Sequence, residues 1–363
     1  MLIIVPSSEL GGAEINLIRI LSGLDYNLFY PLVLLPKKGP LCDRLNQLKI
    51  RTFISSWPHH FSHHSKLEWF VLKTRLTQFL KNKPIHLIFN NSLFSLELAH
   101  NLEKVLNCPL ITYWHDNHCP EKVIPFLKAH PTMPIICVSK ATEQTLKKKT
   151  SFPLKTIVIY NGIPSQPKLH LSKENARQIL GLSPNLFYIG FTGRLVPQKG
   201  LDILIKAISQ LSNKINLVFA GKWDNNAYKN HINQLIKQSN VQNRTHYLGF
   251  LDNTDLFYAA IDILGMPSKN ESFGLSALEA MSFKTPVLCH AVGGLREQII
   301  DHINGIWVKN NDINDWIDKI NLLFQNQLLY NKLSTQAQKK SLEFDLETCV
   351  KQINALIKKT ASQ

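Results

Sequence analysis

Short apolar runs alternate with longer amphipathic stretches along nearly the whole of this chain. A short apolar run bounded by turn residues fits a strand buried on both faces, and a longer stretch with apolar residues three and four apart fits a helix covering it. Repeated in turn, the pair builds a parallel sheet with helices on both faces, which places the chain in the α/β class. Strands are expected in the first half at 2–5, 30–35, 51–54, 87–89, 110–113, 135–138 and 157–159, with helices at 13–24, 41–48, 66–81 and 140–148. A second series begins near Asn185. Its strands are expected at 187–191, 216–220, 245–248, 263–266, 286–289 and 305–308. Its helices are expected at 201–211, 227–238, 254–260 and 275–282, with a helical tail from 313 to near 359.

The 363 residues are enough for two such domains, each with its own core. Pro164 and Pro167 mark 162–171 as a linker. The expected division is a first domain over 1–165, a second over 166–341, and a helix over 342–363 that packs back on the first. Two doubly wound domains of this kind are expected to face each other across a cleft at the carboxyl ends of their strands, where such sheets bind ligands.

Composition removes several classes. Six cysteines form no CxxC pair, so neither a zinc ribbon nor a thioredoxin-type site is indicated, and free thiols in a reducing cytoplasm are expected. The start, Met1-Leu-Ile-Ile-Val-Pro, has no basic region and no cleavage site, and reads as a strand rather than a signal peptide. No stretch is long and apolar enough to span a membrane. Lys and Arg number 41 against 26 Asp and Glu, a net charge of +15 that suits an anionic partner: nucleic acid, an acidic membrane surface or a phosphorylated substrate.

Three loops between a strand and a helix carry residues suited to an anion. Gly11-Gly12 lets backbone approach a ligand at a helix start, although the spacing is not that of a dinucleotide fingerprint. Gly193-Arg194-Leu-Val-Pro-Gln-Lys199-Gly200 puts two cations in one turn, Arg as a planar fork and Lys as a point charge, a pairing that clamps a diphosphate. Each of these loops also reads as an ordinary turn. The third is more specific: Glu271-Ser272-Phe273-Gly274-Leu275-Ser276-Ala-Leu-Glu279 spans a loop and a helix start. Backbone N–H groups from Phe273 to Ser276 would face a phosphate, with one carboxylate free for sugar hydroxyls and the other for ribose.

In these motifs the chain resembles the retaining nucleotide-sugar glycosyltransferases of family 4, which have the two-domain GT-B fold. Glu271 and Glu279 match the family's paired-glutamate motif. Gly11-Gly12-Ala-Glu14, Val138-Ser139-Lys140, Asn161-Gly162-Ile163, Pro286-Val and Gly293-Gly294-Leu-Arg-Glu297 match in order. The resemblance implies that Arg194 and Lys199 bind the donor diphosphate, Glu271 touches the donor sugar and Glu279 holds the ribose. Gly11, Gly12, Gly193, Ser272, Phe273, Gly274 and Leu275 then lie along the donor. His115 matches a histidine that faces the donor sugar, and Asp116 is its expected orienting partner. Catalytic roles are thus assigned to His115, Arg194, Lys199 and Glu271, with no metal and no cofactor.

The implied reaction moves a sugar from a UDP- or GDP-sugar to a saccharide, lipid-linked or other hydroxyl acceptor with retention. Its expected setting is polysaccharide, lipopolysaccharide or glycolipid synthesis, in the cytoplasm or at the inner face of the membrane. Two departures stand out: Lys284 replaces a frequent glycine, and Gly221-Lys222-Trp223-Asp224 replaces a Gly-x-Gly near the nucleotide. Lys284 reads either as a turn change or as an extra cation near the cleft. Rival readings are a nucleic-acid-binding protein using its basic surface, which no recognition motif supports, and a sugar-nucleotide epimerase of the same fold. His59, His60, His63 and His64 have metal-ligand spacing but read as a polar loop, and 66–83 reads as a basic amphipathic helix that packs on its own sheet or lies on anionic lipid.

Overall fold

The described strands pair in parallel, and the central ones are apolar runs buried on both faces. The computed structural model describes residues 1–57, 66–80, 84–165 and 171–362. The His59–His64 cluster, Lys81, Lys83 and residues 166–170 of the expected linker lie outside the described residues. The first sheet comprises β1 (Leu2–Ile4), β2 (Leu32–Leu35), β3 (Arg51–Ile54), β4 (Ile88–Asn90), β5 (Leu110–Trp114), β6 (Ile135–Cys137) and β7 (Thr156–Val158), in the order β3-β2-β1-β4-β5-β6-β7. The second comprises β8 (Phe187–Thr192), β9 (Ile215–Ala220), β10 (Thr245–Tyr247), β11 (Ile263–Met266), β12 (Val287–His290) and β13 (Gly305–Val308), in the order β10-β9-β8-β11-β12-β13. Both orders reverse direction once, between β1 and β4 and between β8 and β11.

The chain divides into two units. One is Met1–Gly162 joined by Leu346–Gln363; the other is Ile163–Asp345. The last helix, Leu346–Ala361, buries Cys349, Val350, Ile353 and Ile357 within the first unit, where Val350 closes on Gly23. The expected unbroken tail is three helices instead: Ile313–Gln325, Gln327–Ser341 and Leu346–Ala361. Asn326 makes the first break by capping a new helix through Leu329 N–H at 2.9 Å. Asp345 makes the second in extended conformation, bridged to Ile163.

Helices Leu96–Leu106, Ile124–Ala129, Lys173–Ile179 and Leu295–Gln298 were not expected from periodicity. The third is fixed by charge as much as by packing. Arg177, 5% exposed, donates to Asp262 at 2.5 Å, and Asp262 also accepts from Lys173 at 2.8 Å and from Tyr188 N–H at 2.7 Å. A buried carboxylate satisfied on this many sides keeps its charge at tolerable cost. In helix Lys66–Phe79, Leu72 and Leu76 are buried in the first unit's core and Trp69 and Phe79 pack against it, while Phe70 and Val71 remain exposed. No described helix is long and apolar enough to cross a membrane. The six cysteines are free and buried.

Candidate active site

A doubly wound sheet opens a crevice where its strand order reverses, because the following helices leave to opposite faces. In the second unit that point lies between β8 and β11. Gly193, Arg194 and Lys199 follow β8, and Glu271 through Leu275 follow β11. The fold therefore brings these candidates to one place.

Backbone zips the two loops together. Lys269 N–H donates to the Gln198 carbonyl at 2.9 Å. Gly200 sits at φ +75°, where a Cβ would come within 2.4 Å of the Pro267 carbonyl, so only glycine allows this approach. The Lys199 ammonium pairs with the Glu271 carboxylate, and Ser268 Oγ lies 3.4 Å from the same oxygen. Arg194 is exposed and makes no ion pair among the described residues. Gly274, at φ +104°, starts helix Leu275–Ser282, and its missing side chain leaves room for Leu295. The first N–H groups of that helix have no carbonyl within it, which suits an anion.

The loop is braced from behind. Gln298 donates to the Phe273 carbonyl at 2.9 Å, and Gly294 N–H donates to the Glu271 carbonyl at 2.9 Å. Glu279 accepts a hydrogen bond from buried Tyr258 at 2.8 Å. Gly221, at φ +149°, packs so closely on Gly193 that a Cβ would lie 1.8 Å from the Gly193 carbonyl oxygen. The departure at Trp223 is filled by aromatic packing: its indole is 5.4 Å from the Tyr247 ring and 6.1 Å from both Phe219 and Tyr228.

In the first unit, Gly11 N–H meets Glu14 Oε2 at 3.1 Å, so the helix Gly12–Ser22 begins with an acid on one of its free donors. His115 follows β5. Its Nε2 lies 3.2 Å from Asn91 Oδ1 and its ring 4.2 Å from that of Tyr113. The Asn91 oxygen only accepts, so Nε2 carries the proton and Nδ1 is left as an acceptor. Burial pushes the His115 pKa down to about 3, so the ring is neutral near pH 7. Asn91, at the end of β4, fills the orienting place expected of Asp116, whose carbonyl instead accepts from Trp114 Nε1 at 2.5 Å. Tyr113 hydroxyl donates to Asn161 at 2.8 Å and accepts from Asn16 at 3.2 Å, which gives the Asn161 motif a structural purpose.

Residues 172–340 match the family model of glycosyl transferases group 1. The second unit is a member of that family. An uncharacterized glycosyltransferase of Methanocaldococcus jannaschii is 36% identical over 207 residues, covering 54% of this chain and 52% of that protein. A D-inositol 3-phosphate glycosyltransferase of Mycobacterium marinum is 29% identical, covering 53% and 42%. The chain thus spans about half the length of the curated relatives it matches. Among solved structures, HepE of Anabaena in complex with UDP and glucose aligns with a TM-score of 0.88 and 25% identity over 99% of both chains. Both sheets are those of the GT-B fold.

Within this glycosyltransferase fold, Lys284 is a turn residue. It sits at φ +59° just past helix Leu275–Ser282, with its N–H on the Met281 carbonyl. That turn enters the amino end of β12, whereas the Glu271 loop leaves the carboxyl end of its parallel neighbour β11, so Lys284 is no extra cation for the site. Asn91 is the residue that sequence reading missed. An Asn-Asn-Ser run at the end of a buried strand, at the sheet's reversal point, was the available signal.

Proposed function

We propose that this chain is a retaining hexosyltransferase moving a sugar from a UDP- or GDP-sugar to a hydroxyl acceptor in polysaccharide, lipopolysaccharide or glycolipid synthesis. The observation that carries it is the Lys199–Glu271 pair at the β8–β11 reversal, beside a glycine-started helix and exposed Arg194. The donor diphosphate draws Lys199 and Arg194 to its oxygens, and these cations stabilise the charge that grows on the leaving group. Glu271 then turns to the sugar hydroxyls, and Glu279 to the ribose. The bond from sugar C1 to the phosphate oxygen breaks, and a bond from C1 to the acceptor oxygen forms on the same face. The acceptor's proton passes to the departing diphosphate, so no protein nucleophile is required. His115, neutral and held by Asn91, offers hydrogen bonds rather than a proton to lose. Cations fill the role a metal plays elsewhere, so the transfer is proposed to be metal-independent.

Solved relatives support the donor class: HepE structures hold UDP, and UDP-glucose. A panel of UDP- and GDP-sugars with hydroxyl acceptors tests the reading by NMR of the product. A glycoside with the donor's anomeric configuration supports it; an inverted product, or sugar isomerisation without transfer, contradicts it.

Only two cations are assigned to the diphosphate, and 19 Lys and Arg against 10 Asp and Glu fall within residues 1–165. Attraction to an anionic acceptor or membrane surface at the cytoplasmic face is the proposed use of that excess. Vesicle sedimentation checks it: equal binding to neutral and anionic lipid removes the membrane part.

A further inference from the structure

Two histidines and a carboxylate converge on one flank of the first unit, and no step of the proposed transfer uses them. His100 and Glu103 stand three residues apart on helix Leu96–Leu106 and so share a face. His130 directly follows helix Ile124–Ala129 and turns its ring back against them, 4.1 Å from the His100 ring. Glu103 Oε2 lies 3.1 Å from His130 Nε2 and 3.5 Å from His100 Nδ1. One ligand atom from each residue lies within 4.8 Å of the other two.

With His130 in its neutral form, the hydrogen bonds around the cluster leave acceptors facing acceptors. His130 Nδ1 is 3.0 Å from the Phe126 carbonyl, which can only accept, so that nitrogen carries the ring's proton. The neutral ring then presents the Nε2 lone pair to the Glu103 carboxylate. His100 Nδ1 and Glu103 Oε2 are both buried without a hydrogen bond of good geometry. Converging lone pairs are satisfied by a cation between them, a proton or a metal ion. Zinc bonds of about 2.0–2.2 Å place tetrahedral ligands roughly 3.3–3.6 Å apart; the 3.5 Å separation here falls in that range and the 3.1 Å one lies just short of it. Anchoring of a ligating histidine through its other nitrogen to a carbonyl is the usual outer support of such a site. Two imidazoles and one carboxylate suit zinc better than calcium or magnesium. Lys104, next to Glu103 on the same helix, is the neighbouring charge that opposes a cation.

We infer that His100 Nδ1, Glu103 Oε2 and His130 Nε2 bind a zinc ion that clips helix Leu96–Leu106 to the end of helix Ile124–Ala129, with water completing the coordination. The inference is independent of the transfer reaction.

Calorimetric titration of the chelator-stripped full chain with zinc chloride tests it, alongside cobalt chloride as a spectroscopic probe. One zinc per chain is expected, with micromolar or tighter affinity, a rise in melting temperature on adding zinc, and visible cobalt bands of tetrahedral intensity. Glu103→Gln and His130→Gln should each weaken binding by at least about tenfold. A variant with alanine at His59, His60, His63 and His64 should bind as the parent does. Absence of zinc binding, binding unchanged in folded Glu103→Gln or His130→Gln, or binding lost with the four histidines each overturns the inference. Should the ligand variants fail to fold, the four-histidine variant still decides: cobalt bands retained support the site, and their absence overturns it.

Discussion

The ammonium of Lys199 and the carboxylate of Glu271 meet at the reversal point of the second sheet although 72 residues separate them in the chain. Both side chains are largely buried, at 23% and 13% exposure. The pair holds each loop against the other. In the proposed reaction the two groups exchange each other for different parts of the donor.

Lys199→Ala removes the ammonium that pairs with that carboxylate. Urea denaturation should show a loss of about 1–3 kcal/mol. Arg194→Ala, at an exposed position outside any described ion pair, should stay within about 0.5 kcal/mol of the parent. Equal destabilisation by the two substitutions would contradict the different placements of these cations.

Left-handed positions separate conformational strain from space. Gly221→Ala meets both a φ of +149° and a carbonyl oxygen 1.8 Å away, and should cost about 3 kcal/mol or more. Gly181→Ala meets the milder left-handed penalty of φ +67° with open space around it, and should cost about 1 kcal/mol. Lys284→Gly relieves a φ of +59° and should stabilise by about 0.5 kcal/mol, after the extra freedom of the unfolded glycine is deducted. Thermal melts of the three variants against the parent give the order.

Acid should weaken the first unit through His115. Burial holds its folded pKa at about 3 against an ordinary 6.5, so between these values the unfolded chain takes up a proton that the folded chain refuses. Stability from this group is complete above about pH 6.5 and is lost as pH falls toward 3. Denaturation midpoints at pH 7 and pH 5 check it: His115→Gln should lose less than the parent over that interval. An equal loss would mean that His115 is not the titrating group.

Much of the fold is legible in the chain, for a physical reason. Strands such as Leu32–Leu35 are buried on both faces, so their apolar runs are unbroken and the helices between them keep a polar side. The Arg194–Lys199 and Glu271–Gly274 loops are legible because parallel sheets collect ligand residues at strand ends. Long-range pairing is not legible. Nothing local links Asn91 to His115, or His130 to Glu103, since each contact exists only after the strands take their order. Helix Lys173–Ile179 escapes notice because Arg177 is a buried member of a charge network, where periodicity reads it as exposed. The break at Asn326 is a capping event inside a continuous helical pattern, and Lys284 reads as charge near a site when its backbone makes it a turn.

Arg194 and Glu271 are proposed to act on a nucleoside diphosphate sugar. The most direct measurement is sugar transfer by the parent, Arg194→Ala and Glu271→Ala, using the donor and acceptor that the parent accepts. The proposed reaction requires a fall of about a hundredfold or more in kcat/KM for each variant, with the fold retained. Undiminished transfer in both would contradict it.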